Sequence, residues 1–154
     1  TRGQAETVLI CKKEINNDRA LLIFNNDTYF KSIRLKSRLL SMRNQKIDGI
    51  LGIFNSKDPK YSFVEIDNDD KVIRTKEKKV ISNFASTGMY IFSKGSDFIK
   101  SIEYAIEKEI LSKNEFYISE LYNILIKQGK KFTIDIADEF VALGTPEDIK
   151  KFET

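Results

Sequence analysis

The chain contains no histidine, no tryptophan and one cysteine, Cys11, among its 154 residues. Without histidine it has no imidazole base, no histidine-based triad and no histidine metal ligand. With one cysteine as well, it cannot build a structural zinc site. Any divalent cation must be held by carboxylate or carbonyl oxygen, which indicates magnesium-type chemistry.

Clustered glycine is missing too. The seven glycines stand at positions 3, 49, 52, 88, 95, 129 and 144. They never come together as the glycine-rich loop that cradles phosphates in many nucleotide-binding proteins. A phosphate cradle of that kind is therefore not encoded within these residues.

Long apolar runs are absent from the sequence. No run approaches the ~20 residues that a membrane-spanning helix needs, and no targeting segment is visible at the amino end. Cys11 has no second cysteine with which to pair inside the chain. We therefore expect a reducing compartment, the cytoplasm, and no membrane partner.

Charge of a single sign does not dominate. The chain has 26 basic and 23 acidic residues, a net charge of +3, and its basic clusters are interrupted by acids. Hydrophobic residues make up 41% and charged residues 32%, which is typical of one globular domain. We predict no nucleic-acid partner. A nucleic-acid-binding module stays as a less favoured alternative, which strongly salt-dependent binding would support.

The first third of the chain predicts alternating helices and strands. Apolar spacing predicts a helix over residues 4–15. The continuous apolar run at 20–24 predicts a strand buried on both faces, and the run at 50–54 predicts another. Thr28 is predicted to cap a helix that extends to about Met42.

The rest of the chain continues this order. Alternation over 61–67 and a return over 71–75 predict a β-hairpin, followed by a strand over 84–92. Helices are predicted to begin at Ser96 and Ser119, with strands near 132–136 and 139–141. Thr145 and Pro146 are typical of a final helix start. The fold class is α/β, in one domain over residues 1–154.

Four segments, read in order, resemble the sugar-phosphate nucleotidyltransferase family. They are residues 3–9 (Gly-Gln-Ala-Glu-Thr-Val-Leu), residues 23–27 (Ile-Phe-Asn-Asn-Asp), the Glu77-Lys78 pair with residues 82–92, and residues 143–148 (Leu-Gly-Thr-Pro-Glu-Asp). Each segment alone is a weak signal. The ordered set covers nearly the whole chain. Residues 117–123 (Tyr-Ile-Ser-Glu-Leu-Tyr-Asn) and residues 143–148 look closest to the capsule- and surface-polysaccharide branch.

The resemblance implies a Rossmann-like mixed sheet flanked by helices, with a β-hairpin insertion and the nucleotide at the carboxyl edge of the strands. It implies transfer of a nucleoside monophosphate from a nucleoside triphosphate to a phosphorylated small molecule, assisted by Mg²⁺, with release of pyrophosphate. The acceptor would be a sugar 1-phosphate, or a related precursor of the cholinephosphate or amino-acid-phosphate type.

The resemblance also assigns roles to residues of this chain. Asp27 would hold the metal and act in catalysis. Gly3 and Gln4 would bind the nucleotide near its base. Glu77 and Lys78 would bind the acceptor, with Lys78 as a catalytic charge for its phosphate.

Two further positions are expected at the acceptor, Asn83 as a hydrogen-bonding group and Gly88 as a close backbone approach. Taken alone, each of these positions has a plainer explanation. Asp27 is an ordinary strand-end residue, and Lys78 lies in an ordinary charged run. Gly88 can serve packing within a strand, and Asn83 can cap a turn.

The sequence departs from the family in two ways. The family's glycine-rich triphosphate loop lies upstream of residue 1, so we expect this chain to be the carboxy-terminal two-thirds of a catalytic domain and to be inactive alone. A second metal-binding Asp is replaced by Ala142. These departures keep open a non-catalytic assembly or regulatory domain of the same fold. A truncated sheet would have an open edge, so self-association into a homo-oligomer is possible.

Overall fold

The structure is a computed structural model that describes residues 1–153, apart from the side chain of residue 151. The described residues form a six-stranded mixed sheet with helices on both faces, and a separate two-stranded ribbon. The helices are α1 (Gln4–Leu9), α2 (Lys12–Ile15), α3 (Leu35–Asn44), α4 (Gly95–Glu107), α5 (Ile118–Lys127) and α6 (Pro146–Phe152). The strands are β1 (Leu21–Phe24), β2 (Thr28–Lys31), β3 (Gly49–Asn55), β4 (Ser62–Ile66), β5 (Val72–Glu77), β6 (Phe84–Phe92), β7 (Phe132–Ile136) and β8 (Glu139–Ala142).

Strand β6 organises the sheet. The order is β5-β4-β6-β3-β7, and β1 also pairs with β6. β3 occupies one edge of β6, while β1 and β4 share the other: β1 pairs with residues 89–92, and Phe63 of β4 pairs with Ala85. In the described structure, residues 86–88 lie between these two partners without a strand neighbour on this edge. The sheet therefore opens at the middle of β6.

Two layers of helices cover the sheet. Helix α4 places Phe98, Ile99, Ile102 and Ala105 on one face, and all four are buried. This spacing is that of an amphipathic helix, as the sequence predicts. With α1 and α5 it packs on one side of the sheet in the main core. Helix α3 contributes Met42 to a smaller core on the other side.

The two predicted buried strands differ. β3 is buried on both faces because it lies between β6 and β7 and has helices on each side, so that prediction is confirmed. For β1 the prediction is wrong: Leu22 and Phe24 are 59% and 44% exposed. They pair with Ile91 and Met89, which belong to the smaller core with Met42, but they are not part of that core themselves. Only Leu21 and Ile23 pack against the main core.

Thr28 does not cap a helix. It begins β2, which pairs antiparallel with β8 from Thr28↔Ala142 to Lys31↔Glu139. The Thr28 hydroxyl instead shares its proton between the backbone carbonyls of Asn25, just after β1, and Thr87 on β6, each at 3.2 Å. Local composition could not reveal this strand, because its partner lies more than 100 residues later. The predicted helix over 4–15 is also interrupted, and forms α1 and α2.

The predicted hairpin is present as β4 and β5, which pair antiparallel from Ser62↔Glu77 to Ile66↔Val72. The final helix begins as predicted, with the Thr145 hydroxyl accepting from the backbone N–H of Asp148 at 3.1 Å and Pro146 in the first turn. Within residues 1–153, every helix is too short or too polar to cross a bilayer.

Candidate functional site

A cavity of about 340 Å³ lies where the sheet opens at the middle of β6. Its walls come from the β6 segment, the loop after β1, the β2–β8 ribbon, the end of the β4–β5 hairpin and the starts of α1, α5 and α6. Five residues predicted from the sequence line it: Gln4, Asp27, Glu77, Lys78 and Gly88. The fold thus brings into one cavity residues that are widely separated in the chain.

Glu77 is the buried carboxylate of this cavity, with 6% of its surface exposed. Its Oε2 accepts hydrogen bonds from the hydroxyls of Ser62 on β4 and Ser119 on α5, the latter at 3.1 Å. Burial raises the pKa of the Glu77 carboxyl, opposed by these two hydroxyls and by the charge of Lys78. A carboxylate held in this way retains Oε1 to accept a donor from a ligand.

Lys78 follows Glu77 and turns its ammonium along the cavity wall. Its φ of 48° is in the left-handed region, and its backbone N–H donates to the carbonyl of Tyr61 at 3.1 Å. Nζ lies 3.1 Å from the hydroxyl oxygen of Tyr117 and 5.3 Å from the centroid of that ring. The hydrogen bond to Tyr117 is the main cause of a raised pKa for Lys78. The ammonium therefore stays charged at neutral pH.

Helix α5 fixes the edge strand β5, which ends at Glu77 and leads directly into Lys78. The side-chain amide of Asn123 forms two hydrogen bonds with the backbone of Thr75, accepting from N–H at 2.9 Å and donating to C=O at 3.0 Å. Glu120 accepts from the backbone N–H of Glu77 at 3.0 Å. These side chains take the place of a neighbouring strand, so the end of β5 is held in register beside the cavity.

Asp27 lies on the opposite wall, in the loop between β1 and the ribbon. Its backbone carbonyl accepts from the N–H of Leu143 at 2.7 Å, which ties the loop to the turn before α6. The carboxylate is exposed, and a Cβ built on Gly144 would lie 3.5 Å from Oδ2. The half-buried Asp148 lines the same cavity, as does Ala142.

This donor set has the chemistry of a magnesium site. Mg²⁺ in proteins is commonly held by one or two carboxylates together with waters and substrate phosphates. Asp27 and Asp148 provide two carboxylates on one cavity, although Ala142 provides none. Among the described residues, no group of three or more acidic, cysteine or histidine side chains is arranged to enclose a metal. The residues fit a cation that shares its shell with substrate.

Gly88 is required by the geometry of the cavity floor. Its φ is 84°, and a Cβ there would lie 2.7 Å from Cγ of Asn25. The backbone N–H of Asn25 donates to the carbonyl of Gly88 at 3.1 Å. A side chain at position 88 would therefore displace the loop that carries Asp27.

Gly3 and Gln4 lie beside a second groove of about 840 Å³, which adjoins the first through Gln4, Asn25 and Asp27. Gly3 has a φ of 111°, and a Cβ there would lie 2.8 Å from the carbonyl oxygen of Phe116. Packing against Phe116 is enough to require this glycine. Its predicted approach to a nucleobase remains a prediction.

Asn83 is placed differently from the other predicted residues. It is exposed in the turn before β6, and its carbonyl accepts from the backbone N–H of Ser56. It does not line either of the two grooves. Asn83 therefore lies in a turn, outside the cavity that Glu77 and Lys78 line.

Sequence reasoning missed several side chains of the cavity. Tyr117 and Ser119 contact Lys78 and Glu77, and Tyr61 and Phe140 form part of the wall. Phe140 is stacked on Phe54, with ring centroids 3.7 Å apart. The available signal was an aromatic residue, Tyr117, two residues before the predicted helix start at Ser119. It could not be paired with Lys78 without knowing that α5 packs on β5.

Solved structures with the same fold include a nucleoside-diphosphate-sugar pyrophosphorylase from Vibrio cholerae RC9. It is 29% identical, with a TM-score of 0.82 over 99% of this chain and 65% of that one. A putative glucose-1-phosphate thymidylyltransferase from Bacillus anthracis, in complex with a sucrose, is 20% identical (TM-score 0.73, 97% and 58%). An apo UDP-glucose pyrophosphorylase is 18% identical (TM-score 0.76, 98% and 58%).

The last two likenesses show the fold alone. The chain spans 58% to 65% of the length of these three structures. No curated protein matches it by sequence. The family model described as nucleotidyl transferase matches residues 1–151, nearly the whole length. With the fold and that match together, this chain belongs to the nucleotidyl transferase family.

Proposed function

We propose that the chain is the larger part of a catalytic domain that transfers a nucleoside monophosphate from a nucleoside triphosphate to a phosphorylated small molecule. The observation that carries this proposal is the single cavity that joins Asp27 to the Glu77–Lys78 pair. The family resemblance assigns Asp27 to the metal and the pair to the acceptor. A cavity lined by both supports the proposal, because it would bring the metal and the acceptor into one space.

In the proposed reaction, a phosphate oxygen of the acceptor attacks the α-phosphorus of the triphosphate. A new phosphorus–oxygen bond forms, the bond between the α-phosphorus and the bridging oxygen breaks, and pyrophosphate leaves with the electron pair. Such a reaction depends on positioning and charge neutralisation more than on acid–base catalysis. The lack of histidine is no obstacle to it.

In this proposal, different residues of the chain would bind the acceptor, the nucleotide and the metal. Lys78 would attract the acceptor phosphate, and Glu77 would accept a hydrogen bond from a hydroxyl or amine of the acceptor. Gln4 would contact the nucleotide in the adjoining groove. Asp27 and Asp148 would hold Mg²⁺, which when bound neutralises developing phosphate charge. A triphosphate loop would come from residues outside 1–154.

The acceptor class is part of the same proposal. We assign it to the phosphorylated precursors of capsule or surface polysaccharides, from sugar 1-phosphates to cholinephosphate and amino-acid phosphates. The support is the resemblance of residues 117–123 and 143–148 to that branch. The protein is proposed to act in the cytoplasm, where nucleoside triphosphates are available.

The test is a Mg²⁺-dependent pyrophosphate-release assay on the full-length protein, with each nucleoside triphosphate against a panel of these acceptors. Release is expected with one pair. The variant Asp27→Asn should lower kcat/KM by about 100-fold or more, since a metal ligand is lost. The matched control is Asp69→Asn, at an exposed position in the hairpin turn, which should leave release unchanged.

One observation supports the non-catalytic alternative: Ala142 lines the cavity, at the position where the family resemblance implies a second metal-binding Asp in many members. That alternative predicts no release from any pair, with no affinity for Mg²⁺ or nucleotide in isothermal titration calorimetry. In that outcome the Asp27→Asn variant would match the wild type in both measurements, and the catalytic proposal would be abandoned.

A further inference from the structure

Tyr117 stands at the start of α5 and reaches Lys78 across the cavity wall. It is 8% exposed and lines the cavity with its ring. Its hydroxyl oxygen is 3.1 Å from Nζ of Lys78, and Nζ lies 5.3 Å from the ring centroid. The ammonium is thus held at the hydroxyl end of this side chain.

The hydrogen-bonding capacity of this pair is only partly used. An ammonium carries three donors, and a phenol carries one donor and accepts as well. In the described structure, Tyr117 accepts a hydrogen bond from Lys78, which leaves the phenolic O–H proton and two ammonium protons. Both groups line the cavity. A phosphate monoester, with several anionic oxygens, would match such a two-group donor set.

We propose that Tyr117 positions the Lys78 ammonium and adds its own hydroxyl as a donor, so that the two side chains together bind the phosphate of the acceptor. This rests on the proposed function, in which Lys78 faces the acceptor. Lys78 is exposed and its ammonium sits on a flexible four-carbon stem. Without Tyr117, substrate binding would have to order that stem, which costs conformational entropy.

The position of Tyr117 in the fold supports a role in positioning. The same helix start that presents Tyr117 holds the neighbouring carboxylate, because Ser119 and Glu120 hydrogen-bond to the side chain and backbone N–H of Glu77. Asn123, one turn later, holds Thr75. The helix therefore orients both acceptor-binding residues, and Tyr117 is the part of it that contacts Lys78.

The test compares Tyr117→Phe with the wild-type full-length protein. Phenylalanine keeps the ring and its packing and removes the hydroxyl. The KM for the acceptor should rise about 10- to 100-fold, the range expected for losing hydrogen bonds that involve a charged group, while the KM for the nucleoside triphosphate stays unchanged. The control Tyr104→Phe, on the half-exposed face of α4, should leave both unchanged.

A direct readout comes from lysine Cε resonances in ¹³C-labelled protein, assigned with Lys78→Met. The charged or titratable groups that face Lys78 are Tyr117, Glu77 and Glu115. Since the hydrogen bond to Tyr117 is the largest cause of the raised Lys78 pKa, Tyr117→Phe should lower the pKa of Lys78. Titration with inorganic phosphate should shift the Lys78 resonance in the wild type, at several-fold lower concentration than in the variant.

These outcomes separate the inference from the reaction. If inorganic phosphate shifts the Lys78 resonance and Tyr117→Phe weakens this phosphate binding, the two-group site is supported even where no pyrophosphate is released. If pyrophosphate is released but Tyr117→Phe leaves the acceptor KM, the Lys78 pKa and phosphate binding unchanged, the role of Tyr117 is refuted. Equal rises in both KM values would also refute it, because they would show a general structural effect.

Discussion

Asn123 on α5 substitutes for a strand at the edge of the sheet. Its side-chain amide accepts from the Thr75 N–H at 2.9 Å and donates to the Thr75 C=O at 3.0 Å and to Glu120 at 2.9 Å. Thr75 is 1% exposed, so its backbone groups have no ready access to water. We predict that Asn123→Ala destabilises the protein markedly, because it leaves a buried donor and acceptor unpaired.

The magnitude follows from those two groups. A buried donor or acceptor left unsatisfied costs about 1–3 kcal/mol, so the pair sets a range of roughly 2–6 kcal/mol. Asn123 itself is half-buried, and water can enter the space left by the amide. The lower part of the range applies, about 2–3 kcal/mol. Since Thr75 lies two residues before Glu77, the acceptor KM should rise as well.

Urea unfolding of the full-length protein measures the effect. With an m value of about 1–3 kcal/mol per molar, the midpoint should fall by roughly 1 M or more at unchanged m. The matched control is Asn44→Ala at the exposed end of α3, expected to stay within about 0.5 kcal/mol of wild type. A loss at Asn123 no larger than that of the control would refute the strand-substitute reasoning.

Two further predictions concern the cavity. Gly88→Ala should lower stability by roughly 2–4 kcal/mol in urea unfolding, since it combines a left-handed φ with a clash against Asn25; an unchanged midpoint would contradict this. Glu77→Gln should stabilise the protein more at pH 8 than at pH 4. Burial raises the pKa of the Glu77 carboxyl in the folded state above the ordinary 4.5. Ionisation of Glu77 therefore lowers the stability of the wild type as pH rises from the unfolded-state pKa to the folded-state pKa, and glutamine does not ionise. Thermal midpoints of both proteins across that range check the sign, and a difference that shrinks as pH rises would overturn it.

Elements defined by local pattern could be predicted from the sequence. The apolar stripe of α4, the continuous apolar run of β3 and the alternation of the β4–β5 hairpin all identify their own structures. The Thr145–Pro146 start of α6 does so through its capping chemistry. In each case the information lies within a few neighbouring residues.

Elements defined by distant partners could not be predicted in the same way. β2 is a strand because residues 139–142 pair with it, and its local composition also suits a helix start. β1 has the apolar run of a fully buried strand, but Leu22 and Phe24 of that run are exposed. Position in the sheet decides burial here, and a short apolar run carries no information about that position.

The candidate site depends on the same long-range contacts. Asp27 is fixed by a hydrogen bond to Leu143, and Lys78 by one to Tyr117. Family resemblance marks Asp27 and Lys78 as candidate site residues by their motif positions, but it does not point to the groups that orient them. Those groups lie on elements that become neighbours only when the sheet is assembled.

This arrangement has a consequence for the chemistry. The wall of the cavity that carries Asp27 belongs to the β2–β8 ribbon and the turn before α6, whereas the wall that carries Glu77 and Lys78 belongs to β5 and α5. The walls meet through the open segment of β6 at residues 86–88. Gly88 accepts a hydrogen bond from the backbone N–H of Asn25, and the same strand pairs with β4 through Ala85, so this segment connects the two walls. A change at this segment should therefore alter the binding of both substrates together, whereas a change at Tyr117 should alter the acceptor alone.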